Sequence, residues 1–320
     1  MTQQPTARRV AMAVTARLPS KMIPGLLRAA RRVRNASWIP WRERMRMRAQ
    51  DATRAMSVTS CLVLAPHPDD ETLGCGATIA RKTSAGTQVT IVVATDGAAS
   101  NPSAQGAPEE LVSARRRELL DACGHLGVPP ERIVELRHPD GALRDHHLAV
   151  VAQLQDLIRT TGPDEVLVTW RRDPHPDHRA LSAAVDVALA DHPEVRHLEY
   201  PIHAWVRGPW DAEPPGHRPR RLLRPLTARF GAAAPQLVRV RAGRFAAAKR
   251  TALTAYASQF TGRRSTATWG ALGPEFIAPF LTGHEVFFPI DHAGNQRSDS
   301  SVAGQRRAEA RMPGTGRAAS

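Results

Sequence analysis

The chain has 320 residues, 42% of them hydrophobic and 23% charged, a balance that allows a sizeable buried core. No apolar run approaches the roughly 20 residues of a membrane-spanning helix, so no helical span is expected. The formal net charge of +14 suggests nucleic acid until it is located: residues 1–57 carry thirteen Lys/Arg against two acids, residues 291–320 five against three, and residues 58–290 are almost neutral.

Residues 1–57 read as a basic N-terminal extension, interrupted by Pro5, Pro19, Pro24 and Pro40. Its apolar piece Val10–Val14 is too short for a signal-peptide core. A solvated or locally packed extension is the simpler reading. The alternative is an arm making peripheral contact with the anionic inner membrane surface, anchored by Trp38, Ile39 and Trp41.

From residue 58 onward, strand-like and helix-like segments alternate. An apolar run over 60–65 precedes a helix over 71–84, and β-branched residues predict a strand over 88–94. A loop rich in Gly, Pro, Ser and Asn at 96–108 leads to a helix over 109–126 and a short strand over 132–136. A helix over 146–160 is stopped by Gly162-Pro163, followed by a strand over 165–170, a helix over 178–190 and a strand over 197–202. This order predicts an α/β fold: a Rossmann-like three-layer structure whose mostly parallel sheet has strand order 3-2-1-4-5 plus C-terminal additions. The additions include a strand over 236–240 and an Ala-rich helix over 244–258. Residues 205–235, crowded with Pro, Arg and Gly, give no pattern, and residues 291–320 read as a disordered tail. Residues 58–290 are thus expected to form one domain. Cys61, Cys75 and Cys123 lie in apolar contexts and read as reduced, which places the chain in the cytoplasm.

Two clusters carry the chemistry. His67-Pro68-Asp69-Asp70-Glu71 follows the first strand, and Asp173-Pro174-His175-Pro176-Asp177-His178 follows the fourth. In a 3-2-1-4-5 sheet those strands are neighbours, and ligands bind in the crevice between their carboxyl ends. His67 and Asp70, three residues apart at a strand-to-helix turn, can converge on one divalent ion, with His178 as the third ligand. Two His and one Asp with an open position is the pattern of a catalytic zinc site, although Fe2+ or another divalent ion fits the same donors. Asp69 points elsewhere and can act as general base on the water the ion activates. His175 can stabilise an oxyanion as an imidazolium, with Asp177 orienting it and raising its pKa.

The competing reading makes each His-Pro-Asp a turn with its Asp capping the next helix. That reading suits His138-Pro139-Asp140-Gly141, with Asp140 a weak substrate contact, and it leaves Glu71 a structural first-turn carboxylate. It does not account for two acid- and His-rich clusters at two strand ends. Gly74-Cys75-Gly76 fails the spacing of a dinucleotide loop, so no nicotinamide cofactor is expected.

These residues resemble the LmbE-like, or PIG-L-like, zinc-dependent N-deacetylases. The resemblance rests on Pro66–Glu71 and His175–His178, supported by Thr95-Asp96-Gly97, Arg115–Glu118, Leu126-Gly127-Val128, Pro139-Asp140-Gly141 and Tyr256-Ala257-Ser258-Gln259, all in order across residues 58–290. It implies His67, Asp70 and His178 as metal ligands, Asp69 as base, His175 as oxyanion stabiliser supported by Asp177, and Asp96 and Arg115 lining a sugar pocket. The implied reaction removes the N-acetyl group of an N-acetylglucosamine-type conjugate, a small-molecule substrate. Two alternatives remain: an amidase cleaving a larger amide of a mycothiol-like glucosaminyl conjugate, and a basic nucleic-acid-binding protein with structural His/Asp clusters. The near-neutral 58–290 region weighs against nucleic acid as a partner.

Overall fold

The computed structural model describes residues 38–40, 42–99, 108–208, 236–260, 263–264, 267–268 and 272–290. The strands are β1 (Gln50–Asp51), β2 (Cys61–Ala65), β3 (Val89–Thr95), β4 (Ile133–His138), β5 (Glu165–Thr169), β6 (Arg196–Tyr200) and β7 (Val238–Arg241). A short hairpin of β8 (Arg263–Arg264) and β9 (Ala267–Thr268) precedes β10 (His284–Ile290). Among the described residues, eight strands make one sheet in the order β1-β7-β10-β6-β5-β2-β3-β4. The run β4-β3-β2-β5-β6 is parallel and reproduces the expected 3-2-1-4-5 order. The C-terminal addition is antiparallel: β10 pairs with β6 on one side and β7 on the other.

Both faces of the central strands are apolar, as a covered parallel sheet requires. In β2, Cys61, Val63 and Ala65 face one core, whereas Leu62 and Leu64 face the other. The first core is closed by α2 (Asp70–Ser84) and α3 (Pro108–His125), which follow α1 (Thr53–Ser57) in the chain, and the second by α4 (His147–Thr161) and α5 (Pro176–Ala188). Beyond β6 come α6 (His203–Arg207), α7 (Ala246–Ala255), α8 (Ala257–Phe260) and α9 (Pro274–Ile277). Gly162 ends α4 in the left-handed conformation, φ 53°, where the sequence predicts the stop.

The glycines of Gly74-Cys75-Gly76 serve packing. A Cβ at Gly74 would lie 2.1 Å from the Tyr200 ring, and one at Gly76 would lie 2.9 Å from Cγ of Lys249. The approach matters because Lys249 and Glu285 clamp α2 from outside. Lys249 Nζ donates to the Leu73 carbonyl at 2.7 Å, and the N–H groups of Ala77 and Thr78 donate to Glu285 at 2.8 and 2.7 Å. The two charges pair at 2.7 Å, so the helix that carries Asp70 is pinned through its own backbone.

The boundary expected at residue 57 is not where packing changes. Trp38, Met45, Ala49 and Met56 belong to the first core, and β1 pairs in parallel with β7. Trp38 Nε1 and Arg42 Nη1 donate to the Trp205 carbonyl at 3.1 and 3.0 Å, and Arg46 Nη2 donates to the Pro279 carbonyl at 3.1 Å. Trp38 is 1% exposed and therefore anchors the domain, not a membrane surface; the basic residues beside it hydrogen-bond buried backbone carbonyls of α6 and of Pro279. Residues 1–37, Trp41, the stretch over 209–235 and the tail over 291–320 lie outside the described residues. No helix among the described residues is long and apolar enough to cross a membrane.

Truncating Trp38 to Ala should cost about 3–5 kcal/mol of stability, the usual penalty for emptying a large buried aromatic site. Chemical denaturation of the variant measures it; an unchanged midpoint would contradict the packing described.

Candidate active site

β2 and β5 pair in parallel register from Cys61↔Glu165 to Leu64↔Val168, so their carboxyl ends open side by side. The turn after β2 is tied down by Thr95, whose N–H and hydroxyl donate to the Pro66 carbonyl at 2.9 and 2.8 Å. Asp69 then adopts φ 123°, a conformation disfavoured for a residue with a side chain. What holds it is Glu71, wholly buried, whose carboxylate accepts from Asp69 N at 3.1 Å, from Thr72 Oγ1 at 2.5 Å and from the Tyr256 hydroxyl. The structural role expected for Glu71 is therefore specific: it fixes the unusual backbone conformation of Asp69.

The crevice gathers the expected ligands. Asp70 Oδ2 lies 3.2 Å from His67 Nδ1 and 3.2 Å from His178 Nε2, between the two rings. One ring nitrogen each from His67, His175 and His178 lie within 4.8 Å of one another. His178 is fully buried, yet neither of its ring nitrogens makes a hydrogen bond. A buried imidazole left unsatisfied is costly. Two imidazoles and a carboxylate arranged this way are the donor set of a divalent cation such as zinc, and the unsatisfied nitrogen facing Asp70 fits that reading.

Electrostatics agree. Burial would lower the pKa of His67, but Asp140, Asp177 and Asp70 overcome it and raise it well above the ordinary value. Burial likewise opposes ionisation of Asp70, yet His178 and His67 hold it well below the ordinary range. The site is built to take up positive charge. Asp69 differs: burial, reinforced by Asp70 and Glu71, pushes its carboxyl well up, with Arg115 and His67 opposing.

Three expectations are corrected. The carboxylate of Asp177 is not the partner of His175. It accepts from Gly141 N at 2.7 Å and Leu143 N at 3.2 Å and lies 3.3 Å from His67 Nε2, because the turn after β4 supplies the donors. For His175 the surroundings oppose the expected imidazolium: burial, then His178, His67 and His203, lower its pKa to about 3. Its Nδ1 accepts from the backbone N–H of Asp177 at 3.3 Å, which leaves Nε2 to carry the proton of the neutral ring. Asp140 is more than a turn residue, since its Oδ1 lies 3.0 Å from His67 Nε2; against its burial, His67 holds the carboxyl down at about 2.

Asp96 and Arg115 shape the rim through the backbone. Asp96 accepts from Ala98 N at 3.0 Å and Asp140 N at 3.2 Å, and Arg115, 3% exposed, donates to the Gly97 carbonyl at 2.9 Å. Two residues escaped the sequence reading. Asp173, wholly buried, lies 3.4 Å from His178 Nδ1 and 3.2 Å from His203 Nδ1. Both histidines beside Asp70 are thus backed by carboxylates, Asp140 and Asp177 behind His67 and Asp173 behind His178, an arrangement that orients the rings and raises their basicity. The signal for Asp173 was its place in the second cluster; for His203 it was a histidine just past a strand end.

Asp173→Asn should weaken divalent-metal binding by about 10–100-fold, whereas His67→Ala and His178→Ala should abolish tight binding. Competition with a chromogenic chelator reads both; unchanged affinity in Asp173→Asn would contradict the orienting role.

Residues 62–189 match the family described as PIG-L, GlcNAc-PI de-N-acetylase. A 1D-myo-inositol 2-acetamido-2-deoxy-alpha-D-glucopyranoside deacetylase of Streptomyces avermitilis is 32% identical over 265 residues, 69% of this chain and 88% of that protein. A probable N-acetyl-alpha-D-glucosaminyl L-malate deacetylase 2 of Bacillus cereus is 30% identical over 138 residues, 42% of this chain, and the match spans only 62% of that protein's length. The fold is similar to that of teicoplanin deacetylase in its zinc-inhibited form, with a TM-score of 0.54 at 17% identity, covering 74% of this chain and all of that one. It is similar also to the N,N'-diacetylchitobiose deacetylase of Pyrococcus horikoshii, with a TM-score of 0.51 at 21% identity over 73% of this chain and 84% of that one. With the ordered motifs and the crevice they build, these likenesses lead to one statement: the chain belongs to the PIG-L, LmbE-like family of de-N-acetylases.

Proposed function

We propose that this protein is a metal-dependent hydrolase that removes the N-acetyl group from a small N-acetylglucosamine-type conjugate, giving acetate and a free amine. The observation that carries the reading is Asp70 held between His67 and His178, with the buried carboxyl of Asp69 next to it in the chain. The relatives from Streptomyces avermitilis and Bacillus cereus bear the names of deacetylases of glucosaminyl conjugates, which supports the substrate class.

In this reading His67, Asp70 and His178 hold a divalent ion, zinc being the first candidate. When bound, the ion supplies Lewis acidity, polarising the amide carbonyl and making water acidic enough to react near neutral pH. Asp69 accepts the proton of the attacking water, a task suited to a carboxyl whose burial raises its basicity. It then returns that proton to the departing nitrogen as the C–N bond breaks, so the amine leaves neutral and the carbon keeps both oxygens. His175, neutral with its proton on Nε2, donates a hydrogen bond to the carbonyl oxygen as negative charge gathers there. Asp96 and Arg115 shape the rim that receives the sugar, by holding the loops at Gly97 and Asp140. The three cysteines are free and buried, in keeping with a cytoplasmic enzyme.

Metal-loaded protein incubated with a panel of N-acetylglucosaminides should release amine and acetate in equal amounts. Release of a longer acid instead would favour the amidase reading, and no amine from any member would refute the proposal. Asp69→Ala should keep its metal, assayed by elemental analysis, while kcat falls by about 10²–10⁴. Near-normal turnover would show that another group is the base.

A further inference from the structure

The crevice has two sides. In the sheet it lies between β2 and β5, with β3 and β4 to one side and β6 to the other. Asp96, Asp140 and Arg115 belong to the β3–β4 side, where the proposed reading places the sugar. On the β6 side lies His203, the first residue of α6, which the proposed mechanism does not use. Its neighbours in the chain pin it: Ile202 N and Ala204 N donate to Asp173 Oδ2 at 3.3 and 3.1 Å. The ring stacks on His175, with centroids 5.4 Å apart and planes at 23°, and meets Phe276 edge-on at 5.5 Å. Nδ1 is buried and faces Asp173 Oδ1 at 3.2 Å. A carboxylate there keeps the ring proton on Nδ1 and leaves Nε2 with the lone pair. The side chain is 25% exposed, and among the described residues nothing hydrogen-bonds Nε2. His175 is the opposite tautomer, its Nδ1 accepting from Asp177 N. The two stacked rings therefore differ in character, a donor for the carbonyl oxygen and an acceptor next to it.

We infer that His203 is a substrate-contacting residue that sets specificity for the aglycone: Nε2 accepts a hydrogen bond from a hydroxyl carried next to the glycosidic bond. The inference rests on the reading of the crevice as a deacetylase site. With the sugar held from the β3–β4 side, the part of the conjugate left for the β6 side is the aglycone. A fixed lone pair rewards a hydroxyl donor there and rejects an analogue that lacks one, because the binding group is then left without a partner. Asp173 and Asp70 lie close behind, so a carboxylate on the aglycone meets like charge and is disfavoured. The preferred class is therefore a hydroxylated, uncharged aglycone.

Three N-acetylglucosaminides of the same anomer, with cyclohexyl, trans-2-hydroxycyclohexyl and trans-2-carboxycyclohexyl aglycones, test this on the metal-loaded full chain. The wild type should favour the hydroxylated over the plain glycoside by about 3–10-fold in kcat/KM, the worth of one neutral hydrogen bond. The difference should appear in KM, since the contact is the same before and during the reaction. The carboxylated glycoside should be the poorest of the three. In His203→Phe, which keeps a flat ring and loses the acceptor, the ratio of hydroxylated to plain should fall to about one. His203→Gln, whose side chain ends in an acceptor, should hold part of the preference and serves where the Phe variant does not fold. A wild-type ratio near one, an unchanged ratio in His203→Phe, or preference for the carboxylate would each overturn this inference and leave the proposed function standing. So would failure on all three while other N-acetylglucosaminides release amine; no amine from any of them would overturn both.

Discussion

The parallel pairing of β2 with β5 is the constraint on which the site depends. Each strand delivers at its carboxyl end a short segment too polar to be buried alone, and the pairing sets the two against each other. Asp70, Asp173 and Asp177 are buried together with His178, in a space where unpaired carboxylates are expensive. Their mutual contacts make the arrangement tolerable only if positive charge is supplied. Protonated histidine would supply it in part, and a divalent cation of the kind proposed above would supply the rest. The buried charge is thus a functional commitment of the fold, since replacing it with apolar side chains would serve packing equally well.

Rigidity around the crevice comes from groups remote in sequence. Glu71 and Tyr256 hold Asp69 in a backbone conformation that costs of order 1–3 kcal/mol. Lys249 and Glu285 grip α2 by its own carbonyl and N–H groups, and Glu285 comes from β10, the antiparallel strand added at the end of the chain. Trp38 and Arg42, ahead of the first strand, fasten onto α6, which opens with His203 at the rim. The three-layer sheet sets the ligands, and the additions at both ends lock them.

The altered roles of Asp177 and His175 have one cause. A carboxylate two residues from an imidazole on the first turn of a helix can point to either side, and here the N–H groups of Gly141 and Leu143 attract it toward His67. His175 is left with a backbone donor and three imidazole neighbours, which together with burial hold it against protonation.

By itself the sequence determined the alternation of strands and helices, the order of the parallel strands and the meeting of His67, Asp70 and His178 in one crevice. Those follow from local periodicity and from residue types clustered at strand ends, which need no knowledge of distant contacts. Only the tertiary structure decided that Trp38, Met45, Ala49 and Met56 belong to the core, that Asp140 and Asp177 back His67, and that Asp173 joins His178 to His203. Each depends on which donors a buried carboxylate meets across more than one loop, and no spacing within a single segment encodes that.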